Sequence, residues 1–528
     1  MQIESTPGVR VALILPYPSV PIWMKGLLGR LEDIDGLLLS VIGVAEQDVP
    51  LSRCRDLFSI WQKFDAKIFA DGSSQLGRCP FEEFLSETSE DKWAGQQVFR
   101  ENGPFVDYVQ EQPLDIVLWM LPARPPKQVL DQARIGVWSL SNVQGDTVGF
   151  WELIDSVPVT TCELHRLGPV PKEDTVLGQA FAKTDRKSLA RTLRVVRALD
   201  ESLVISKLNQ AIQPGEGVLQ SSPVGQQRAA RRQRPGVLQL LFGLGRLYGR
   251  YVANIAMRPF YRDQWQLAYR VGGERLSRKG LLRLAPARKG FWADPFVIRR
   301  DGRTVIVFEE MPEDKPQGRI AVIEIDDDGR AGPPRVVLER DHHLSYPFLM
   351  EFNDSLFMVP ESADAEKVEA FRCVSFPDQW ESHAVLLNGV RAYDPTLIEH
   401  DGRWWMFVTI QHNGNTTDDE LHLYYASDPF GQWVAHPANP ICLDVRCARP
   451  AGALFRQNGQ LFRPAQDCSV RYGYAISIQR VIRMDTTAYE EETVQRILPD
   501  WAEDAQGTHT VNQADGITVY DCIARRRK

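Results

Sequence analysis

Four segments in the second half of the chain share one plan, and that plan leaves few folds open. They are WADPFVIRRDGRTVIVFEE, LSYPFLMEFNDSLFMVPES, AYDPTLIEHDGRWWMFVTI and ARPAGALFRQNGQLFRPAQD. Each opens on a polar-Pro step, runs through an apolar stretch, turns, and enters a second apolar stretch. The marker prolines Pro295, Pro347, Pro395 and Pro450 recur about every 50 residues. The turns carry Asp-Gly at Asp301 and Asp401, Asn-Gly at Asn458, and Asn353-Asp354 in the second copy. A weaker fifth copy, GTHTVNQADGITVYD, has Asp515-Gly516 in the same place. These residues accept the positive φ of a two-residue hairpin turn. Outer strands such as GRIAVIEID and ELHLYYA follow. A period near 50 with four short strands per copy predicts a β-propeller, five-bladed and all-β, over residues 263–528. The fifth copy has only two strands. WQLAYRV, ahead of the first copy, is available to complete that blade and close the ring.

In a propeller the first strand of each blade lines the channel, and the second returns to the same end. The starts of the first strands offer Asp294, Tyr346, Asp394, Arg449 and His509. The ends of the second strands offer Glu309, Glu310, Glu361, Gln466, Asp467 and Asp521. The repeat therefore predicts a charged funnel mouth, suited to a carbohydrate. Asp294, Asp394 and Glu361 are the candidate catalytic carboxylates. Crowded in one mouth, they cannot all keep ordinary pKa values; one is expected to be raised as an acid and another to stay ionised as a base. Tyr346, Arg449, Arg463, Gln466, Asp467, His509 and Trp292 are the candidate substrate-binding residues. With Arg449 and Arg463 as a clamp, an anionic or phosphorylated sugar is expected. The plain alternative is that an Asp before Pro is a turn residue.

Residues 1–210 read as α/β. VRVALIL, GLLLSVIGVA, DIVLWML and IGVWSL are continuous apolar runs, alternating with helical stretches. Such runs predict a parallel sheet covered on both faces, a Rossmann-like arrangement. Pro21 to Leu31 and Lys187 to Asn209 read as helices.

Residues 211–262 form a separate basic segment. PGEGVLQSSPVGQQ is linker-like, and Arg228, Arg231, Arg232 and Arg234 follow. The next stretch mixes Leu, Phe and Tyr with Arg246, Arg250 and Arg258, and no acidic residue stands between Gly217 and Arg262. A helix of this composition packs between domains or lies on an anionic membrane surface, here through residues 228–262. The net charge of -8 argues against nucleic acid as partner. Eight cysteines without a CxxC pair point to reduced thiols, with no metal site expected. The apolar run near the N-terminus has no basic n-region before it and reads as a strand. These features predict a cytoplasmic protein, peripheral at the inner membrane face if the basic segment engages lipid. No cofactor is implied.

Two resemblances add to this. GFWADPF, HLSYPF, VPES, YDPTLIEHDGRWWMF, DELHLYYA, ARPAG and RPAQDCSVRYG, in this order, resemble the propeller at the N-terminus of plant glucosamine inositolphosphorylceramide transferases and bacterial relatives. In the plant proteins the transferase chemistry is attributed to a separate domain. More distantly the half looks like the five-bladed glycosidases of family 43. That likeness implies an Asp base and an Asp pKa modulator, matched by Asp294 and Asp394. The family's acid falls near Arg449, which leaves Glu361 or Glu420 to supply a proton. LDIVLWML, IGVWSLSN, GFWELIDSVPVTTCELHRLG and DTVLGQAF resemble the methionyl-tRNA formyltransferase fold. That family implies an Asn, a His and a later Asp. Ser139 and Ser141 stand where the first two belong, and Asp174 or Asp146 is the remnant of the third. The chain is expected to act on carbohydrate by glycosyl transfer or cleavage in cell-surface glycan or glycolipid assembly. The alternatives are a non-catalytic sugar-binding scaffold and a formyltransferase-like transfer to an amino sugar.

Overall fold

The computed structural model of the chain describes residues 8–45, 57–69, 77–86, 93–144, 147–213, 222–223, 233–257, 259–286, 290–315, 317–412 and 415–527. The chain divides into two compact units between Tyr251 and Val252. That division falls inside the helix Val237–Met257, within the stretch the sequence suggested as a linker.

The first unit is built on an eight-stranded sheet. Its parallel part runs, in spatial order, Gly136–Leu140, Ile116–Trp119, Val9–Tyr17, Leu37–Ala45 and Trp93–Phe99. The four predicted strands are all here. Val159–Leu167 and Thr175–Lys183 then extend the sheet antiparallel, followed by Ser222–Pro223. The sheet is thus mixed rather than wholly parallel. The long helix Leu189–Ile212 starts where Ser188 caps it, its Oγ accepting from the Arg191 N–H at 3.3 Å. Asp65, fully buried, accepts from the Ala190 N–H at 2.8 Å, a carboxylate set where the helix dipole favours one.

The second unit is a ring of five blades. Blade I comprises Phe291–Arg300, Arg303–Met311, Arg319–Ile325 and Arg335–Leu338. Blade II comprises Ser345–Phe352, Ser355–Glu361, Lys367–Ser375 and Gln379–Asn388. Blade III comprises Arg391–His400, Arg403–Gln411, Leu421–Ala426 and Val434–Ala435. Blade IV comprises Phe455–Gln457, Gln460–Asp467, Ala475–Met484 and Tyr489–Ile497. Blade V joins the two ends of the unit. Tyr261–Val271 pairs antiparallel with Ile517–Arg527 along its whole length, from Tyr261 opposite Arg527 to Val271 opposite Ile517. The strand WQLAYRV closes the ring as its sequence position suggested.

Each of the five predicted hairpin turns has both central residues at positive φ: Asp301-Gly302, Asn353-Asp354, Asp401-Gly402, Asn458-Gly459 and Asp515-Gly516. Five apolar clusters fill the spaces between neighbouring blades. Tryptophan is the recurring wedge in them: Trp292 between V and I, Trp380 between I and II, Trp404 and Trp433 between II and III, Trp405 between III and IV. These rings pack the blades together, which is the core role a β-rich chain asks of them.

Candidate functional site

In the first three of the four marked repeats the polar-Pro step is a β-bulge. Pairing in blades I, II and III slips between Ala293 and Phe296, Ser345 and Phe348, and Tyr393 and Thr396. In each slip the residue before the proline takes a left-handed backbone: Asp294 at φ 51°, Tyr346 at 42° and Asp394 at 53°. Such a conformation costs a non-glycine residue energy and persists where the surrounding structure enforces it. The bulge re-aims a side chain that regular pleating would direct elsewhere.

Two of these side chains enter one charged cluster. Asp394 is gripped by Arg449, whose Nε donates to Oδ2 at 2.6 Å and Nη2 to Oδ1 at 3.2 Å. Gln466 Nε2 donates to the same Oδ2 at 2.9 Å. Arg449 Nη2 also reaches Glu361 Oε2 at 3.4 Å, and Nη1 reaches the Thr417 carbonyl at 3.2 Å and Asp418 Oδ1 at 3.6 Å. Every nitrogen of this buried guanidinium is engaged. Asp294 belongs to a second, adjoining group. His509 places Nδ1 2.5 Å from Asp521 Oδ2 and Nε2 3.7 Å from Asp294 Oδ1. Thr510 Oγ1 donates to Asp294 Oδ1 at 2.8 Å. Asp521 accepts from the backbone N–H groups of Asp294, His509 and Thr510.

The crowding has electrical consequences. Burial raises Asp294 to about 6; the facing His509 opposes that rise, and Asp394 and Asp521 add to it. Burial and then Asp394 push Glu361 well above the usual carboxylate range, against the pull of Arg449. Glu309 is pushed well up by burial and by Asp294, Glu361, Asp394 and Asp521 together. Burial works against a charge on His509, yet Asp521 and Asp294 raise it above its ordinary value. One mouth therefore holds three carboxyls, Asp294, Glu309 and Glu361, whose proton affinity is raised.

Aromatic rings border the cluster. Tyr472 is 39% exposed. The Arg449 guanidinium lies 5.2 Å from its ring centre and 5.3 Å from that of Tyr393. Trp265 stacks on His509 at 4.0 Å, and Tyr472 meets the same imidazole edge-on. An exposed ring above buried polar groups is the arrangement that seats a sugar face.

Residues 283–514 match the family described as glucosamine inositolphosphorylceramide transferase 1, N-terminal. The protein of that name from Oryza sativa subsp. japonica is 31% identical over 208 residues, 39% of this chain and 28% of its own length. The Arabidopsis thaliana protein is 31% identical over 209 residues, 39% and 27% respectively. The chain thus spans about a quarter of the length of these relatives. Similar solved structures include a thermostable family-43 glycoside hydrolase, at 12% identity over 39% of this chain and 76% of that one, TM-score 0.31. Another is an exo-1,5-α-L-arabinanase from a bovine ruminal metagenomic library, at 14% identity over 45% and 92%, TM-score 0.32.

Of the residues singled out from sequence, the structure brings Asp294, Asp394, Glu361, Arg449, Gln466 and His509 together. Four others lie elsewhere. Tyr346 is fully buried, and its hydroxyl ties blades II, III and IV by bonding Thr396 Oγ1 at 2.8 Å and the Gly452 N–H at 2.7 Å. Trp292 packs on Phe308 and donates to Glu310 at 3.3 Å. Asp467 accepts from Ser469 Oγ at 2.6 Å and pairs with Arg496. Arg463 pairs with Glu491 at 2.5 Å and donates to the Cys447 carbonyl at 2.7 Å. It shares no partner with Arg449, so the two-arginine phosphate clamp is not formed. Glu420, the other candidate proton source, sits 2.9 Å from His412.

Tyr472, Tyr393, Trp265, Thr510 and Asp418 were not among the candidates. The repeat rule samples single positions and passes over their neighbours: Tyr393 and Thr510 stand beside Asp394 and His509, while Trp265, Asp418 and Tyr472 lie on segments it does not sample. Among the described residues two groups could hold a cation: Asp294, His509 and Asp521, and Cys442, Cys447 and Glu491, each with ligand atoms within 4.8 Å of one another. The first meets its needs internally, since Asp521 already takes three backbone N–H groups.

In the first unit, Ser139 is buried with its hydroxyl unpartnered among the described residues. Ser141 Oγ accepts from the Glu163 N–H at 3.2 Å. Asp174 is locked by Arg124 at 2.7 Å and the Gly168 N–H at 2.9 Å. Asp146 lies outside the described residues. A serine hydroxyl does not carry a proton near neutral pH as an imidazole does.

Proposed function

We propose that the funnel seats a neutral or amino sugar and acts on its glycosidic bond by transfer or cleavage. Glu361 gives a proton to the leaving oxygen as the carbon–oxygen bond breaks. Asp294 takes the proton of the incoming hydroxyl, or stabilises the positive charge at the anomeric carbon. The observation that carries this reading is two buried carboxyls in one mouth, Asp294 held by Thr510 and raised by burial to about 6, and Glu361 facing Arg449 and pushed by burial well above the usual carboxylate range. Carboxyls of raised proton affinity gathered in one cleft are candidates for acid–base work. Asp394 acts through Arg449, holding the guanidinium that faces Glu361.

Sugar charge follows from the same balance. The carboxyls outnumber the arginine, whose nitrogens are all engaged, so an anionic or phosphorylated sugar loses its support. A polyhydroxylated ring gains donors and acceptors here, and an ammonium group gains counter-charges. The name of the relatives, a transferase of a glucosamine-containing lipid, is in keeping with this.

A second reading is sugar binding without chemistry. It is favoured by one observation: Arg449 stands where a family-43 acid is expected and occupies both oxygens of Asp394. The deciding experiment compares wild type with Asp294→Asn and Glu361→Gln on a glycan array and with activated neutral and amino sugars as donors. The catalytic reading expects turnover by wild type and a loss of about a hundredfold or more in each variant, with binding kept and the melting temperature not lowered. Binding without turnover in all three supports the second reading. Binding and turnover unchanged in both variants sinks the funnel as the site.

A further inference from the structure

The helix Leu57–Phe69 and the part of the helix Val237–Met257 that belongs to the first unit, up to Tyr251, pack against a common core. Phe58 and Trp61 from one, and Leu240 and Leu247 from the other, are buried together with Phe150, Leu153 and Leu189. Trp61 Nε1 donates to the Tyr248 hydroxyl at 3.2 Å. These contacts account for one stripe of each helix. They leave a second apolar stripe on each in solvent.

On the longer helix Leu238, Leu241 and Phe242 are exposed, Leu238 by 82% and Phe242 by 70%. Their offsets of three and four residues from Leu238 place them on one arc, away from Leu240 and Leu247. On the shorter helix Ile60, Phe64 and Ile68 recur at four-residue spacing, Phe64 being 55% exposed. An amphipathic helix in a globular unit normally turns such a stripe inward. Here both stripes face out on helices that touch each other.

Basic residues border them. Arg246 and Arg250 fall at one border of the longer helix's apolar arc. Burial and the guanidiniums of Arg246 and Arg186 together hold Arg250 below its ordinary value. Lys187 lies 5.6 Å from the Tyr251 ring centre. The sequence from Gly217 to Arg262 contains no acidic residue, and Arg234 precedes the helix. Among the described residues no helix is long and apolar enough to cross a membrane. An apolar arc bordered by arginines is the form of a helix that lies in the lipid interface beside anionic headgroups.

We propose that these two helices form one docking surface for an anionic lipid membrane, with the apolar side chains at the headgroup boundary and the exposed Arg246 and Arg186 on the phosphates, Arg250 being turned inward onto Ser156 and the Leu153 carbonyl. The surface lies outside the funnel and is independent of the chemistry assigned to it.

The test is co-flotation of the full chain with vesicles of phosphatidylcholine alone and of phosphatidylcholine mixed with phosphatidylglycerol. Wild type is expected to float with the mixed vesicles and to be released by salt. Leu238→Glu/Phe242→Glu and Ile60→Glu/Phe64→Glu are each expected to lower partition about tenfold or more, because each pair removes two large apolar side chains from the lipid boundary. Arg246→Gln is expected to cost about fivefold, on anionic vesicles only. All substituted side chains are solvent-exposed, and unchanged melting temperatures show that each variant folds. Absence of flotation, or equal flotation with neutral vesicles, overturns the proposal. So does a concentration-dependent dimer that Leu238→Glu/Phe242→Glu abolishes without vesicle binding, since a second copy would then cover the face. Unchanged partition of Ile60→Glu/Phe64→Glu overturns the two-helix surface.

Discussion

Arg449 and Arg463 are both buried, both come from the fourth repeat, and the sequence rule treats them alike; their surroundings do not. Arg463 sits between blades III and IV with one carboxylate, Glu491, and two carbonyls, those of Cys447 and Ala448. Charge and donors balance there, and Phe407 covers the guanidinium at 5.9 Å. Arg449 faces three carboxylates, Asp394, Glu361 and Asp418, with Asp294 and Glu309 close enough to shift one another's protons. The first arrangement is a finished plug. The second is left with more acid than base, and its protons are free to redistribute. A buried ion pair becomes a candidate working site where its charges fail to cancel.

That contrast can be broken at the plug first. Arg463→Met leaves Glu491 buried without its cation, and a loss of about 3–5 kcal/mol is expected in denaturant unfolding. The double variant Arg463→Met/Glu491→Gln is expected to recover most of it. A single-variant loss under about 1 kcal/mol means that the plug does not hold blades III and IV together.

The mouth is expected to behave differently, and pH exposes it. Asp294 titrates near 6 in the folded protein against 3.8 ordinarily. The folded state therefore holds this proton more tightly, and the stability that comes with it is fully present below about 3.8. It is lost as pH rises through about 6. The full difference corresponds to at most roughly 3 kcal/mol. Asp294→Asn removes the dependence, so the variant gains on wild type between pH 4 and 7. Parallel unfolding curves for the two proteins across that range contradict the raised carboxyl.

Smallest of the three is the expected effect of Arg449→Met. Glu361 already holds its proton tightly, and the mouth takes up protons when the cation goes. A loss of about 1–2 kcal/mol is expected, growing from pH 5 to pH 8 because the remaining acids must then ionise without a partner. A loss as large as that of Arg463→Met, and flat with pH, erases the distinction between plug and mouth.

The propeller was largely legible because its signals are local and repeated. Asp-Gly and Asn-Gly turns report positive φ directly, and the marker prolines report the bulges. Even the closing strand Tyr261–Val271 followed from counting strands. The mouth was legible in part. A strand inside a propeller is buried on both faces, so alternation does not tell which side chain meets the funnel and which wedges between blades. Of two neighbouring residues, Glu309 joins the funnel and Glu310 bonds Trp292 and Arg319. Likewise Gln466 joins it, while Asp467 folds back on Ser469. In the first unit, Trp93–Phe99 and Val159–Leu167 escaped because WAGQQVF and VTTCELHRL carry too many polar residues to read as buried strands. Their places beside apolar strands are set by tertiary packing that no local pattern records.

The seam of blade V also bears on how this protein is made. On the ribosome, blades I to IV emerge in order, but Tyr261–Val271 waits without its partner until Ile517–Arg527 has been translated. Asp521 arrives on that same strand, and with it the acceptor that fixes His509 and the backbone of Asp294. A nascent or truncated chain that has not closed its ring therefore lacks the anchor of its charged mouth, and completion of the fold and completion of the site are one event.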